Sequence, residues 1–358
     1  MRKFQKMEFN SAPSKILLID INSCFATIEQ QTNPFLRGKP IAVVAYTTPN
    51  GTILAASIEA KKLGIKTGMR VLEARNIYPK IITLLPDPPK YRFVHKKLHK
   101  LLLSYSPFVE PKSIDEFAME IIDHRVDPCD IAQEVKMRIK TEIGEWISVS
   151  IGIAPNRYLA KIAAGLVKPD GLVEINRNNY LEIYKNLKLK DLTGVKEGNE
   201  RRFRRLGIYT IMDLYNHKKP IYGSYWYLRL RGYEVDNVEF KRKSFGNEVA
   251  VKTTKDLNPL PIIARLFDKA NFRARKAGFR AKRNFINISG YKVSVTLFDL
   301  VSNSNLQLDF FNENLKKENI EKAVYDINSK WGNFVIGSAR GFMAKDAVKD
   351  RISFRNLQ

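Results

Sequence analysis

The apolar positions of this chain fall into short runs and helical stripes that predict alternating strands and helices. Lys15-Ile-Leu-Leu-Ile-Asp20 is a four-residue apolar run closed by a carboxylate, the pattern of a buried strand that delivers Asp20 at its end. Asn22 or Ser23 then caps a helix. Ile41-Ala-Val-Val-Ala45 predicts a second buried strand, and Thr52 to Lys62 a strand passing into a helix that Gly64 stops. Tyr91, Val94, Leu98, Leu101 and Tyr105 mark one helix stripe; Ile131, Val135, Ile139 and Ile143 mark another at a strict four-residue step. Ile147, Val149, Ile151 and Ile153 alternate as a strand, after which Ala154-Pro-Asn156 caps a helix carrying Lys161. This alternation, running to about residue 170, belongs to an α/β or α+β domain.

Beyond it the character changes. Residues 181–232 read as mostly helical and rich in Arg, Lys and Tyr, and 233–246, with Lys241-Arg-Lys243, as a linker. A third unit follows: a helix over Pro261–Gly278, a strand over Tyr291–Leu297, a helix over Ile320–Trp331 and a short strand over Phe334–Ser338. That is a small α+β module. Residues 1–13 are polar and read as a flexible N-terminus, and 347–358 as a tail.

Composition narrows the class of partner. Lysine and arginine number 61 against 37 acids in 358 residues, a formal net charge of +24, which argues for a polyanionic partner such as nucleic acid. The chain contains no apolar run long enough to cross a membrane and no apolar core of an export signal. Two cysteines give no disulfide framework, so a reduced cytoplasm is the expected compartment. His95 and His99 stand at zinc-ligand spacing, but with no other His or Cys nearby they read as a solvated helix face.

The chemistry centres on Ser113-Ile-Asp-Glu116. Neighbouring side chains on a strand point to opposite faces, so two adjacent carboxylates meet one metal only across a tight turn. Pro111 to Ser113 is consistent with a hairpin that makes that turn. Asp20, Asp115 and Glu116 together are the oxygen donors that a pair of magnesium ions would require. The competing readings are a decorated surface turn for Asp115 and Glu116 and a helix N-cap for Asp20.

Asp20-Ile-Asn-Ser-Cys-Phe25 followed by Ser113-Ile-Asp-Glu116 resembles the Y-family, or translesion, DNA polymerases. Further matches stand in family order: Leu36-Arg-Gly-Lys-Pro40, Glu59-Ala-Lys-Lys-Leu-Gly64, Ser150-Ile-Gly-Ile-Ala154, Ala160-Lys-Ile-Ala-Ala164 and Lys168-Pro-Asp-Gly171. Within the bacterial polymerase V and polymerase IV group, the Asp-Ile-Asn and Ala-Ser-Ile-Glu-Ala-Lys-Lys forms look more like the polymerase V catalytic subunit. The resemblance implies an α+β multidomain right-hand polymerase. Its palm would comprise 14–32 and 87–180, its fingers 33–86, its helical thumb 181–232 and its α+β little finger 247–346. The activity implied is template-directed addition of dNTPs to a primer 3′ end with low fidelity and no proofreading domain, in tolerance of DNA damage. The partners implied are primer-template DNA, dNTP and a sliding clamp, around a monomer.

Site roles follow from the same resemblance. Asp20 and Asp115 would bridge two Mg2+ ions, Glu116 would complete the primer-side one, and the Ile21 carbonyl would add a ligand. The amides of Ser23, Cys24 and Phe25, together with Lys61 and Lys161, would hold the triphosphate. Phe25 would be the steric gate against a ribose 2′-hydroxyl, with an ordinary core position as the alternative. Ile58 and Lys61 stand where many relatives have tyrosine and arginine. Leu192-Thr-Gly-Val-Lys-Glu-Gly-Asn199 resembles a helix-hairpin-helix whose Gly194, Lys196 and Gly198 would face a DNA phosphate, although Lys196 replaces the usual second glycine. Arg201-Arg-Phe-Arg-Arg205 would serve phosphates or form a solvated helix face. Arg273, Arg275, Lys276, Arg280, Lys282 and Arg283 form an acid-free basic stretch that would grip duplex backbone. Gln307, Leu308, Phe310 and Phe311 resemble a sliding-clamp peptide, with a short buried strand as the alternative. The alternative function is a non-catalytic damaged-DNA-binding relative, which would have no reason to keep the carboxylates and Lys161 together. A nucleotide cyclase lacks the basic C-terminal module, and no Walker-type loop occurs.

Overall fold

The computed structural model describes residues 7–123, 125–217, 224–236, 243–251, 258–290, 292–302, 313–331, 335–344 and 348. They belong to two compact units, Met1–Val238 and Glu239–Asn356. In the first, β1 (Ile16–Ile21) is the middle strand of a five-stranded sheet ordered β5-β6-β1-β7-β8, where β5 is Val109–Pro111, β6 Glu116–Glu120, β7 Val149–Ala154 and β8 Leu172–Glu174. β1 runs antiparallel to both β6 and β7. Ile16 to Ile19 and all of β7 are buried on both faces, which is why they read as unbroken apolar runs rather than as an alternation. β2 (Ile41–Val44), β3 (Ile53–Ala56) and β4 (Ile82–Leu84) form a separate three-stranded sheet. It has a core of its own, including Val44, Ile53, Ala60, Val71 and Ile81.

Helices surround these sheets. α1 (Cys24–Thr32) follows β1, α2 (Ile58–Lys62) and α3 (Val71–Ile77) accompany the small sheet, and α4 (Pro88–Leu103) leads to β5. The four-residue isoleucine step lies on α5 (Pro128–Arg138) and a π turn over Ile139–Ile143, where the Gly144 amide donates to the Ile139 carbonyl at 3.0 Å. A stripe repeating every four residues outruns a 3.6-residue helix, and the wider turn brings it back. α6 (Arg157–Leu166) starts where expected, with the Asn156 side chain accepting from the Leu159 amide at 2.8 Å. Its Tyr158, Leu159 and Ile162 share one apolar cluster with Ile16 and Leu18 of β1 and with Tyr184, Phe203 and Ile211 of the helical region. That region comprises α7 (Tyr180–Asn186), α8 (Glu197–Arg205), α9 (Ile211–Asn216) and α10 (Ser224–Arg229).

The expected flexible N-terminus is corrected over residues 7–10. Phe9 is buried and stacks on Tyr180 with ring centroids 4.1 Å apart. The Met7 amide donates to the Tyr227 hydroxyl at 3.0 Å, the Asn10 amide to the Arg231 carbonyl at 2.8 Å, and Asn10 Nδ2 to the Gly232 carbonyl at 3.0 Å. Arg231 is itself buried and sandwiched between Tyr215 and Tyr227. It donates to the carbonyls of Met7 (2.9 Å), Tyr215 (2.6 Å) and Tyr227 (3.2 Å). Gly232 has φ +77°, and a Cβ there would meet the Phe9 ring at 3.3 Å, so backbone and ring are in close contact. Residues 7–10 thus strap the helical region to the start of β1.

The linker expectation changes too. Asn156 Nδ2 donates to the Arg229 and Tyr233 carbonyls, both at 2.9 Å, and Arg157 pairs with Glu234 at 3.0 Å. Ser244–Ala250 is a strand, β9. In the second unit β9 pairs with β11 (Lys292–Ser302), which pairs with β10 (Phe279–Ser289); α11 (Leu260–Lys276) packs on this sheet, and α12 (Glu313–Trp331) and α13 (Ala339–Phe342) follow. β10 gave no strand signal in the sequence because all its residues from Lys282 on are exposed and its start is basic; only Phe279 and Ala281 reach the core, too few to mark an apolar face. Residues 335–338 are not a strand: Asn328 satisfies both the amide and the carbonyl of Ile336, at 3.0 and 2.8 Å, in place of a ladder.

Candidate active site

Strand register assembles the carboxylates. Asp20, at the end of β1, lies directly opposite Glu116 on β6, and the Ile21 amide donates to the Asp115 carbonyl at 2.9 Å. The hairpin is tight: the amides of Lys112 and Ser113 both donate to the Glu116 carbonyl, at 2.9 and 3.3 Å. Asp115 precedes the strand while Glu116 begins it, so the alternation of a pleat does not force them apart. Below the turn, Ile114 is buried and its carbonyl lies 3.0 Å from His95 Nδ1, which therefore carries the proton. The His95 ring stacks on Phe117. His95 is thus a buried support of the hairpin rather than part of a solvated face, and burial lowers its pKa, keeping it neutral.

Each carboxylate is held by a neighbour. Lys168 Nζ contacts Asp20 at 2.7 Å, the Ser113 hydroxyl donates to Asp115, and Lys161 Nζ contacts Glu116 at 2.8 Å. Among the described residues no group of three or more His, Cys, Asp or Glu side chains stands ready-made around a metal. Burial pushes the Asp20 carboxyl above the usual range; Lys168 opposes that shift, and Glu116 and Asp115 add to it. Asp115 is raised likewise, by burial first and then by Glu116, against the Ser113 hydrogen bond. Two desolvated acids whose pKa is raised further by neighbouring carboxylates, with Glu116 beside them, form a hard-oxygen donor set that a divalent cation would relieve, so the residues fit a divalent-metal centre.

The turn after β1 carries a second feature. Ser23 sits at φ 51°, in the left-handed region, and makes no capping bond; its buried hydroxyl has no partner. The expected N-cap is therefore absent, and Asn22, buried, turns inward instead. Burial drives the Cys24 thiol well up, with Asp115 and Asp20 adding to the shift, so it stays a neutral thiol. Phe25 is 6% exposed and stacks on Tyr91 at 4.6 Å, while the Tyr91 hydroxyl donates to Glu29 at 2.8 Å.

The lysines are distributed differently from the sequence expectation. Lys161 stands on Glu116, whereas Lys168, to which the sequence reading gave no role, stands on Asp20. Lys61 lies within the fields of Lys168 and Asp20, and burial first, then Lys168, lowers its pKa. The available signal for Lys168 was its place before the Pro-Asp-Gly turn.

The remaining sites divide. Gly194 adopts φ +88°, its carbonyl accepts from Asn199 Nδ2 at 2.9 Å, and Lys196 is the extended residue before α8, with Gly198 in the first turn. The four arginines of α8 are exposed around buried Phe203. In the second unit the basic stretch is not one stripe. Arg273 donates to the Gly246 carbonyl and, at 2.9 Å, to Asn247, and Arg275 pairs with Glu321. Arg280, Lys282 and Arg283 lie on β10, with Arg283 on Asp299 at 2.9 Å. Gln307, Leu308, Phe310 and Phe311 lie outside the described residues.

The fold and the strand-end carboxylates define a palm-type site, and comparison with known proteins gives its family. The family model described as IMS: impB/mucB/samB family matches residues 19–165. A DNA polymerase IV of Staphylococcus epidermidis is 32% identical over 295 residues, covering 79% of this chain and 80% of that protein. One from Pelotomaculum thermopropionicum is 40% identical over 203 residues, 56% of this chain and 50% of the relative; this chain spans about half the length of several such relatives. A solved Y-family DNA polymerase chimera, Dbh-Dpo4(243-245)-Dbh, matches with TM-score 0.67 at 24% identity, covering 80% of this chain and 99% of that one. DinB from Sulfolobus solfataricus matches with TM-score 0.57 at 25% identity over the same shares. The chain belongs to the Y-family of DNA polymerases. These relatives bear the name polymerase IV, so within the expected group they fall on that side rather than on the polymerase V side.

Proposed function

We propose that this chain is a template-directed DNA polymerase that adds dNTPs to a primer 3′ end, with the low fidelity of translesion synthesis in damage tolerance. The observation that carries the reading is the convergence of Asp20, Asp115 and Glu116 at one end of a sheet, with Lys61, Lys161 and Lys168 around them. Asp20, Asp115, Glu116 and the Ile21 carbonyl would hold two Mg2+ ions. Bound there, the ions would lower the pKa of the primer hydroxyl and neutralise the leaving pyrophosphate. Lys61 and Lys168 bind the triphosphate together with the Ser23 hydroxyl and the amides of Ser23 to Phe25; the unpartnered Ser23 hydroxyl supports this placement. Lys161 stands against Glu116 on the primer side. The Phe25 ring, braced by Tyr91, excludes a ribose 2′-hydroxyl.

In the same reading residues 14–32 and 87–180 act as palm, 33–86 as fingers, 181–232 as thumb and 247–346 as little finger. The Gly194–Gly198 turn holds a DNA phosphate through backbone amides. Lys276, Arg280 and Lys282 grip the duplex, and residues 307–311 engage a sliding clamp. No helix among the described residues is long and apolar enough to cross a membrane; the protein acts as a cytoplasmic monomer. Primer extension with Mg2+ on undamaged and abasic templates tests the reading. Extension by the wild type and none by Asp115→Ala, with primer-template affinity retained, is the expected result; undiminished extension by the variant would remove the site.

A further inference from the structure

We infer that Asn22 is a positioning residue: its carboxamide pins the Val167–Gly171 loop and thereby sets where the Lys168 ammonium stands. Lys168's part in binding the triphosphate rests on the polymerase reading above; the pinning itself does not. Asn22 is 3% exposed and has no part in capping α1. Its Oδ1 accepts from the Asp170 amide at 2.8 Å and from the Ser148 hydroxyl at 3.2 Å, and its Nδ2 donates to the Ser150 hydroxyl at 3.0 Å. Ser150, also buried, completes the clamp: it donates to the Val167 carbonyl at 3.2 Å and accepts from the Gly171 amide at 3.2 Å. One hydroxyl proton and two lone pairs are thereby used in full. The Asn22 backbone is fixed as well, its amide donating to the Ser148 carbonyl at 2.9 Å and its carbonyl accepting from Thr27 at 2.6 Å.

These bonds bracket Lys168 on both sides, at Val167 and at Asp170–Gly171. Lys168 is 40% exposed at its side chain and contacts Asp20, two residues before Asn22. A long cation on a free loop would sample many positions. Here the residues flanking it are tied to Ser150 on β7, the strand paired with β1, and to Asn22, just beyond the end of β1, so lysine and acid keep a fixed spacing. Only a carboxamide does this unaided, since it offers an acceptor to the Asp170 amide and a donor to Ser150 in one planar group. Aspartate keeps the first bond and loses the second.

The test compares wild type, Asn22→Ala, Asn22→Asp, Lys168→Ala and the Asn22→Ala/Lys168→Ala pair. Hydrogen exchange of the Asp170 and Gly171 amides should accelerate about tenfold in Asn22→Ala, the scale of one lost buried hydrogen bond. Under the polymerase reading, KM for dNTP should rise by a similar factor, with primer-template affinity unchanged, and the double variant should be no worse than Lys168→Ala. Asn22→Asp should fall between wild type and Asn22→Ala in both readouts, and carries the test if the alanine variant does not fold. Unchanged exchange at 170–171 overturns the pinning. Losses that simply multiply in the double variant overturn its route through Lys168. A wild type that never extends primers overturns the polymerase reading and with it that route, while exchange still decides the pinning.

Discussion

The strap formed by residues 7–10 makes a prediction that needs no knowledge of activity. Phe9→Ala removes a ring that is 4% exposed, stacked on Tyr180 and in contact with the Gly232 backbone. In a closed core, truncating phenylalanine to alanine costs about 3–5 kcal/mol. The docked segment is only four residues long, so the strap can come away locally and let water into the space. The loss is then capped by what the strap contributes: one ring and the bonds of Met7 and Asn10. We expect about 2–3 kcal/mol, felt first where the strap docks. Native-state hydrogen exchange should show the amides of Leu230 to Tyr233 losing protection by that amount. The second unit should be untouched, which is why a local probe is preferable to a single melting curve for a chain of two units. Glu8→Ala serves as the control, because Glu8 is exposed and, among the described residues, pairs with Arg177 alone, at 3.5 Å. Its effect should stay below about 0.5 kcal/mol. Protection of 230–233 in Phe9→Ala within about 0.5 kcal/mol of wild type would refute the strap as a stabilising element.

Three other outcomes can be checked at the bench. Phe25→Ala should raise ribonucleotide incorporation relative to deoxynucleotide by at least about tenfold, and an unchanged ratio would leave Phe25 as core alone. Phe310→Ala with Phe311→Ala should abolish stimulation by a sliding clamp while basal extension continues; retained stimulation would remove the peptide from that role. Arg280→Ala with Lys282→Ala should reduce the slope of log affinity against log salt for duplex DNA by roughly one to two, with weakening uniform across sequences. An unchanged slope would take these cations off the phosphates.

What could be read from the sequence was governed by burial. Asp20 and the hairpin before Glu116 were legible because fully buried strands leave unbroken apolar runs and a turn must break them. Tertiary polar contacts left no such trace. Asn22 looked like a helix cap because its type and place suit one; only the folded loop at 167–171 reveals that its carboxamide faces inward. Lys161 lies midway along α6 and Lys168 in the loop just after it, and sequence cannot say which reaches Asp20 and which reaches Glu116. The strap was hidden because scattered apolar residues such as Met7 and Phe9 in a polar stretch carry no helical or strand period. β10 was hidden because its exposed residues give no alternation. His95 was misjudged for the opposite reason: a basic helix concealed one imidazole turned into the core.

The ammonium groups resting on the carboxylates have a thermodynamic consequence. Lys168 covers Asp20, Lys161 covers Glu116, and Lys61 lies within the field of the same acid, so the pocket comes close to internal charge balance. A bare divalent ion has to evict an ammonium that gains no new counter-charge, which makes binding of the ion alone unrewarding. Under the proposed polymerase reading, a triphosphate would change the exchange by giving the displaced lysines an anion of their own. Ion and nucleotide are then heterotropic ligands of one another, and by linkage each must tighten the other by the same factor. Calorimetric titration of Mg2+ should therefore be weak without nucleotide and markedly tighter beside a non-hydrolysable dNTP analogue. Lysine suits such an exchange better than arginine, because a single point charge on a flexible stem can leave one partner for another without breaking a bidentate pair.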